Sequence, residues 1–190
     1  LTGPRGQHIM YVHGTGTGSD GTTDTVLLNA DVDIHDPLIR ISTAGLGPLA
    51  GQTGGFTDRP DRAALTGAVY WLVDNKRMGT IGCAKVYLDG LTGPDADSEQ
   101  RYTGSSGLPV TLDMQSQTLK TGVFYFANIK PGAHTMKVSL DDGKTFIGEE
   151  TKFYIPFART EAKSDTKTVL AQLAFYVKGP SNPTPSTCAQ

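Results

Sequence analysis

The chain lacks an excess of charge of either sign and lacks a long hydrophobic run. Its 190 residues include 17 lysines and arginines and 19 aspartates and glutamates, for a formal net charge of −2. Because the basic residues are scattered, the sequence offers no positive patch for nucleic acid, and we expect no nucleic-acid partner. The longest apolar stretch, residues 169–177, is interrupted by Gln172. It is far shorter than the roughly 20 residues of a membrane helix, so we expect no membrane insertion.

Cysteine is almost absent, with two residues, Cys83 and Cys188, far apart in the chain. Neither belongs to a Cys-x-x-Cys pair or has a histidine nearby, which argues against a zinc or redox site. We predict a disulfide between them, closing a loop of about 100 residues and worth ~4–5 kcal/mol by chain entropy. Such a bond persists outside the reducing cytosol and would indicate an extracellular, cell-surface or periplasmic protein. Two free thiols in a cytosolic protein remain the alternative.

Glycine and proline are abundant, with 23 and 11 residues, while hydrophobic residues make up 37% of the chain. This composition is typical of short strands joined by frequent turns, so we predict an all-β protein. Only residues 61–65 and 158–163 look helical. Alternating apolar positions predict a sandwich of about seven strands, at residues 65–73, 84–88, 108–112, 123–126, 134–140, 151–157 and 167–177.

Two turns are well specified by their residues. In residues 121–138, Phe124 and Phe126 alternate with their neighbours before Pro131, which presets φ for a turn, and Gly132, which accepts positive φ. Residues 141–144, with the sequence Asp-Asp-Gly-Lys, predict a hairpin turn between the strand that ends at Leu140 and the segment Thr-Phe-Ile at residues 145–147. These features specify architecture rather than a reaction.

Three segments resemble the carboxypeptidase regulatory-like family, whose domains have a transthyretin-like (prealbumin-like) β-sandwich. They are Leu-Thr-Gly-Ala-Val at residues 65–69, Gly-Cys-Ala-Lys-Val at 82–86, and the Phe-x-Phe and Ile-x-Pro-Gly-x-His pattern within 121–135. The resemblance covers roughly residues 64–177. It implies that fold and an accessory role on secreted or surface proteins, and it names no catalytic residue.

Composition divides the chain into three parts. Residues 1–62 form a Gly- and Thr-rich extension with short strand-like pieces at 9–12, 25–28 and 38–41, which we expect to pack on the main domain or on a neighbour. Residues 63–179 form the predicted sandwich, and residues 180–190 form a Pro-rich tail held by Cys188. One piece of the extension is a candidate assembly strand that could add to the sheet edge of another copy. It comprises Ile9, Met10, Tyr11 and Val12.

Metal ligands are few. The four histidines are His8, His13, His35 and His134, and their spacing does not form a transition-metal site, so we expect none. Asp95, Asp97 and Glu99 alternate in one loop and form a candidate calcium site. The glycine expected after the third ligand is replaced by Gln100, and solvated acidic residues are the alternative.

Catalytic motifs are missing from the sequence. It has no Gly-x-Ser-x-Gly elbow and no phosphate-binding loop, and we expect no enzymatic activity. Tyr70, Trp71 and Tyr102 are candidates for an aromatic platform that stacks on sugar rings, with core packing as the alternative.

The sequence thus favours a secreted or cell-surface, non-enzymatic β-sandwich module with an adhesion, scaffolding or extracellular assembly role. Its expected partners are proteins or further copies of itself, in a homo-oligomer or filament, and we expect no cofactor other than calcium. A carbohydrate-binding module with a polysaccharide partner is one alternative. A metal-dependent enzyme is a second, disfavoured one.

Overall fold

The computed structural model describes residues 7–14, 22–29, 38–44, 47–57, 59, 61–93, 98–140, 145–155 and 168–188. In these ranges the chain forms two β-sheets with almost no helix. The predicted all-β sandwich class is therefore confirmed.

The regular elements follow one another in this order: β1 (Gln7–Gly14), β2 (Thr22–Asn29), β3 (Leu38–Ala44), α1 (Gly47–Gly54), β4 (Ala63–Val73), β5 (Lys76–Thr80), β6 (Ala84–Leu88), β7 (Glu99–Thr103), β8 (Pro109–Val110), β9 (Val123–Ile129), β10 (Gly132–Leu140), β11 (Phe146–Ile155) and β12 (Thr168–Lys178).

The large sheet has nine strands, in the order β1-β2-β3-β12-β4-β9-β7-β8, with β5 paired to the end of β4. All of its described pairings are antiparallel except that of β12 with β4. Two parallel neighbours cannot be joined by a tight turn, because the chain must return to the same end of the sheet. Here the chain between them builds the rest of the large sheet, β5, β7, β8 and β9, and the whole of the second sheet.

The small sheet has three strands, in the order β11-β10-β6. The predicted Pro131–Gly132 turn does follow β9, and Gly132 has a φ of 137°. However, β9 lies in the large sheet and β10 in the small one. This turn is therefore the corner that carries the chain from one layer to the other. The strands around the predicted hairpin turn do pair, as β10 with β11, while residues 141–144 lie outside the described residues.

The main core lies between the two sheets. Every second residue of the central strands of the large sheet is buried in it, including Leu65, Val69, Phe124, Phe126 and Phe175. The small sheet covers them with Val86, Met136, Val138, Phe153 and Ile155. Full burial of each such side chain contributes roughly 1.5–3 kcal/mol.

A second, smaller cluster lies on the opposite face of the large sheet. Ala50 of α1 packs with Ala64, Tyr125 and Ala127, and Phe56 stacks on the Tyr125 ring at a centroid distance of 5.8 Å. The helix was not predicted, because its sequence, Gly-Pro-Leu-Ala-Gly-Gln-Thr-Gly, has low helix propensity. Packing against the sheet overrides that propensity.

The seven predicted strands of the main domain are present, with β8 shorter than expected at two residues. The three predicted pieces of the extension are also strands, β1 to β3, and β3 pairs with β12, so the extension continues the large sheet. The helical prediction for residues 61–65 is wrong, because residues 63–65 begin β4 and are buried. The second helical prediction, residues 158–163, lies outside the described residues.

Candidate functional site

The C-terminal tail is fixed to the sandwich by covalent and hydrogen bonds. Cys83 and Cys188 form a disulfide with a Cα–Cα distance of 5.5 Å, which confirms the predicted pairing. Thr184 Oγ1 accepts a hydrogen bond from the Gly82 amide at 3.0 Å, and the Trp71 indole N–H donates to the Gly179 carbonyl at 2.9 Å. The tail is therefore part of the folded domain, and the disulfide is typical of proteins outside the reducing cytosol.

The outer edge of β6 is closed to further strands by side chains and a turn. The Ala84 amide donates to Thr118 Oγ1 at 2.9 Å, and the Ala84 carbonyl accepts from the Thr118 amide at 2.9 Å. Leu88 exchanges two backbone hydrogen bonds with Leu91, at 2.9 and 3.0 Å. Groups that a neighbouring strand would use are thus already paired at both ends of β6.

The outward backbone groups of Val86, in the middle of β6, are hydrogen-bonded by residues of the large sheet. Its amide donates to the Tyr102 hydroxyl at 3.0 Å, and its carbonyl accepts from Gln100 Nε2 at 2.7 Å. Gln100 Nε2 also lies 2.9 Å from the Tyr102 hydroxyl. Gln100 and Tyr102 are each 1% exposed, and burial raises the pKa of Tyr102 to about 12. The phenol therefore stays neutral and serves as a structural link between the sheets.

Two other edges, β5 and β8, are protected by charge, proline and shortness. The strand β5 has five residues and begins with the exposed residues Lys76 and Arg77. The strand β8 has two residues, one of which is Pro109. A proline has no backbone N–H to donate, and charged residues oppose the approach of another edge, so both features prevent unwanted pairing.

The edge strand of the small sheet, β11, is protected in two ways. Glu149, Glu150 and Lys152 are exposed along it, and Lys137 forms an ion pair with Glu150 at 3.0 Å. Its residue Gly148 lies so close to β12 that a Cβ there would be 3.0 Å from the Tyr176 carbonyl oxygen. Thus β11 approaches β12 closely at Tyr176, beyond the residues of β12 that pair with β3.

The strand β1 differs from all of these edges. It pairs with β2 along its full length of eight residues, from Gln7 opposite Asn29 to Gly14 opposite Thr22, and has no other neighbour among the described strands. Its sequence, Gln-His-Ile-Met-Tyr-Val-His-Gly, contains no proline, aspartate, glutamate, lysine or arginine. The candidate assembly residues Ile9 to Val12 occupy its centre. This edge is the candidate functional site.

The predicted aromatic platform is not assembled. Tyr102 is 1% exposed in the core, which makes its prediction as a sugar-stacking residue wrong. Trp71 packs against the core from one face of β4, whereas Tyr70 lies at the next position, where alternation directs it to the other face. The Tyr70 ring contacts Tyr176 and lies under the Arg77 guanidinium at 4.6 Å. The three residues therefore share no surface.

Sequence reasoning missed another aromatic pair, on the outer face of the small sheet. The Tyr87 and Phe146 rings meet edge to face at 5.2 Å, and Phe146 is 49% exposed. Lys137 Nζ lies 5.7 Å from the Phe146 ring centroid. The residues belong to β6 and β11, which are distant in the chain and both pair with β10, so only the sheet topology could reveal their proximity.

Among the described residues, the candidate metal ligands do not form a cluster. No group of three or more His, Cys, Asp or Glu side chains suited to a metal occurs in the described part of the chain. His8 and His13 belong to β1, while His35, Asp95 and Asp97 lie outside the described residues. Glu99 pairs with Arg101 at 3.0 Å.

His134 has a structural set of contacts. Its Nδ1 lies 2.8 Å from Asp89 Oδ2 and its Nε2 lies 2.8 Å from the Lys130 carbonyl oxygen. Asp89 Oδ1 also accepts from the Thr135 amide at 2.8 Å. These bonds tie the end of β6 to the start of β10.

Comparisons with known proteins provide no relative for this chain: no family model, no curated protein and no solved structure matches it. Among the described residues, no helix is long and apolar enough to cross a membrane.

Proposed function

We propose that this chain is a non-enzymatic β-sandwich module, secreted or displayed on a cell surface, that acts in adhesion, scaffolding or extracellular assembly. The observation that carries this proposal is the edge at β1, a long uncharged strand at the end of a sheet whose other edges are protected. Long unprotected edges associate with other chains, and proteins that must stay apart avoid them. We also propose that the sandwich is of the transthyretin-like type, on the sequence resemblance given above.

The disulfide supports the location in this proposal. Its formation requires an oxidising environment, and it holds the tail against the sandwich edge near Gly82. Protein–protein association through a sheet edge needs no cofactor, so the proposed role requires neither a metal nor a catalytic residue.

The proposed role can be tested on the native protein. We expect the protein in the extracellular or envelope fraction of its source cells, with no titratable thiol, and in complexes larger than the 20.2 kDa chain on size-exclusion chromatography. A native protein that is monomeric, reduced and cytosolic would contradict the proposal. Treating the fractions with dithiothreitol before thiol titration provides the control, because it should release two thiols per chain.

A second candidate function is carbohydrate binding, favoured by the half-exposed Phe146 beside Tyr87. Flat rings stack on the apolar faces of sugars, and Lys137 is placed to bond hydroxyl or anionic groups. Retention on insoluble cellulose, chitin or xylan that Phe146→Ala abolishes would support this function. Met114→Ala is the matched control, because Met114 is also an exposed apolar residue, at 70%. Equal retention of both variants would exclude this surface.

A further inference from the structure

The edges of the two sheets limit which surfaces of two copies can meet. In the described part of the chain, β5 and β11 carry charged residues and β8 carries a proline. The outer backbone groups of β6 are hydrogen-bonded by Thr118, Tyr102, Gln100 and Leu91. Gly148 of β11 lies against β12 at Tyr176. Among the described strands of a second copy, the unprotected edge to which β1 can add is therefore that copy's β1.

We propose that two copies of this chain form a symmetric dimer in which β1 of one copy pairs antiparallel with β1 of the other. The large sheets then join into one continuous sheet. This inference rests on the assembly role proposed above and names its partner, a second copy. An interface in which each edge meets the same edge of its partner is isologous and closes at two copies, so the proposal predicts a dimer rather than a filament.

Charge favours this occupant. A charged strand would meet the same charges at close range when it paired with its own copy, and like charges placed opposite each other destabilise a sheet. The strand β1 contains no acidic residue, lysine or arginine, so two identical edges pair without that repulsion. Seven of the eight residues of each β1 can pair symmetrically around a central residue, which gives roughly six to eight backbone hydrogen bonds across the interface.

Symmetry also fixes the kind of register. The twofold axis relating two antiparallel neighbours is normal to the sheet, so it keeps each face of one sheet continuous with the same face of the other. One residue of β1 must then lie opposite its own copy, with its neighbours paired at equal steps on each side. Met10 and Tyr11 are the two central positions of β1 and are therefore the candidates for this residue.

The oligomeric state tests the dimer. By light scattering coupled to size-exclusion chromatography, we expect the purified full chain at twice the 20.2 kDa monomer mass. Met10→Lys introduces charge at the centre of β1 and should halve that mass, with an unchanged far-ultraviolet circular dichroism spectrum. Met78→Lys is the matched control, because Met78 lies in β5 and is 57% exposed, and it should remain dimeric. A monomeric wild type, or a Met10→Lys variant that stays dimeric, would overturn the inference.

Cysteine scanning tests the pairing itself. The native cysteines are bonded to each other, so one cysteine introduced at position 9, 10, 11 or 12 provides the single reactive thiol. Residues directly opposite in antiparallel strands have Cβ atoms about 4.5–5.5 Å apart, within reach of a disulfide. We expect a cross-linking yield with one maximum, at the residue on the axis. Equal yields at all four positions, or no cross-link at any of them, would exclude antiparallel pairing of β1.

The dimer and the assembly role fail in different ways. If the purified chain is monomeric but the native protein is isolated in complexes with other proteins, the dimer is excluded while the assembly role stands. If the purified chain is dimeric, but the native protein is cytosolic with free thiols, the proposed extracellular role is excluded while β1 pairing stands.

Discussion

The hydroxyl of Tyr102 in the large sheet accepts a hydrogen bond from the backbone amide of Val86 in the small sheet, with 3.0 Å between oxygen and nitrogen. Gln100 donates to the same hydroxyl and to the Val86 carbonyl. This buried polar link joins the two layers at the outer edge of β6, where none of the described strands pairs.

Removing the Tyr102 hydroxyl should destabilise the fold. Tyr102→Phe keeps the ring but leaves the Val86 N–H without its acceptor, and an unpaired buried donor costs about 1–3 kcal/mol. We expect the free energy of unfolding in urea to fall by that amount. Tyr154→Phe, at a half-buried position of β11, is the control and should have a smaller effect. Equal stability of wild type and Tyr102→Phe would show that the link contributes nothing.

The same phenol predicts a loss of stability at high pH. Burial raises the pKa of Tyr102 from 10.0 to about 12 in the folded protein. The contribution of Tyr102 to the free energy of unfolding is therefore fully present below pH 10 and is lost as the pH rises through 12. The reason is that the Tyr102 phenol loses its proton at a lower pH in the unfolded chain than in the folded protein. Two pKa units correspond to about 3 kcal/mol. The free energy of unfolding in urea should fall more steeply between pH 9 and 12 in the wild type than in the Tyr102→Phe variant. A difference between the two proteins that stays constant over this pH range would contradict the prediction.

Gly67 allows β4 and β12 to pair closely. A Cβ at Gly67 would overlap the Leu173 carbonyl and lie 2.6 Å from Phe124 Cζ. We expect Gly67→Ala to reduce the free energy of unfolding by about 3 kcal/mol, the upper range for overpacked cores. Gly79→Ala is the matched control, since a Cβ at Gly79 meets nothing within 4 Å. Similar denaturation midpoints for the two variants would refute this role of Gly67.

The disulfide should contribute strongly to stability. Cys83 and Cys188 are separated by 105 positions, and closing a loop of that length restricts the unfolded chain by about 4–5 kcal/mol. The double variant Cys83→Ala/Cys188→Ala should therefore melt at a lower temperature than the wild type. Dithiothreitol should lower the wild-type melting temperature and leave the double variant unchanged. A wild type insensitive to reductant would count against this contribution.

Sequence reasoning succeeded where a strand has one apolar face. Phe124 and Phe126 alternate in β9, and Leu173, Phe175 and Val177 alternate in β12, so their strands and core positions could be read directly. The disulfide was also predictable, because the two cysteines had no other suitable chemistry.

Two strands were missed for a physical reason. In β7 the inward residues are Gln100 and Tyr102, whose polar groups are satisfied by β6, so the hydrophobic alternation that signals a strand is absent. In β5, Lys76, Arg77 and Met78 are all exposed, and no apolar face exists to detect.

The candidate site was predictable only in part. The residues Ile9 to Val12 were recognised as a strand from their composition, but the state of the other edges depends on contacts between distant segments. Thr118, 34 positions away, accepts the hydrogen bond of the Ala84 amide at the edge of β6. Tyr87 and Phe146 contact each other because their strands both pair with β10. No local pattern encodes such contacts.

The position of β12 between β3 and β4 has a consequence for how the protein matures. The strands β1 to β3 attach to the rest of the molecule through a strand that is translated more than 100 residues later, so they must wait for residues 168–172 before they can dock. During synthesis these strands belong to a nascent chain without its final neighbour, and a factor that shields them until β12 has emerged would prevent premature pairing between chains on adjacent ribosomes.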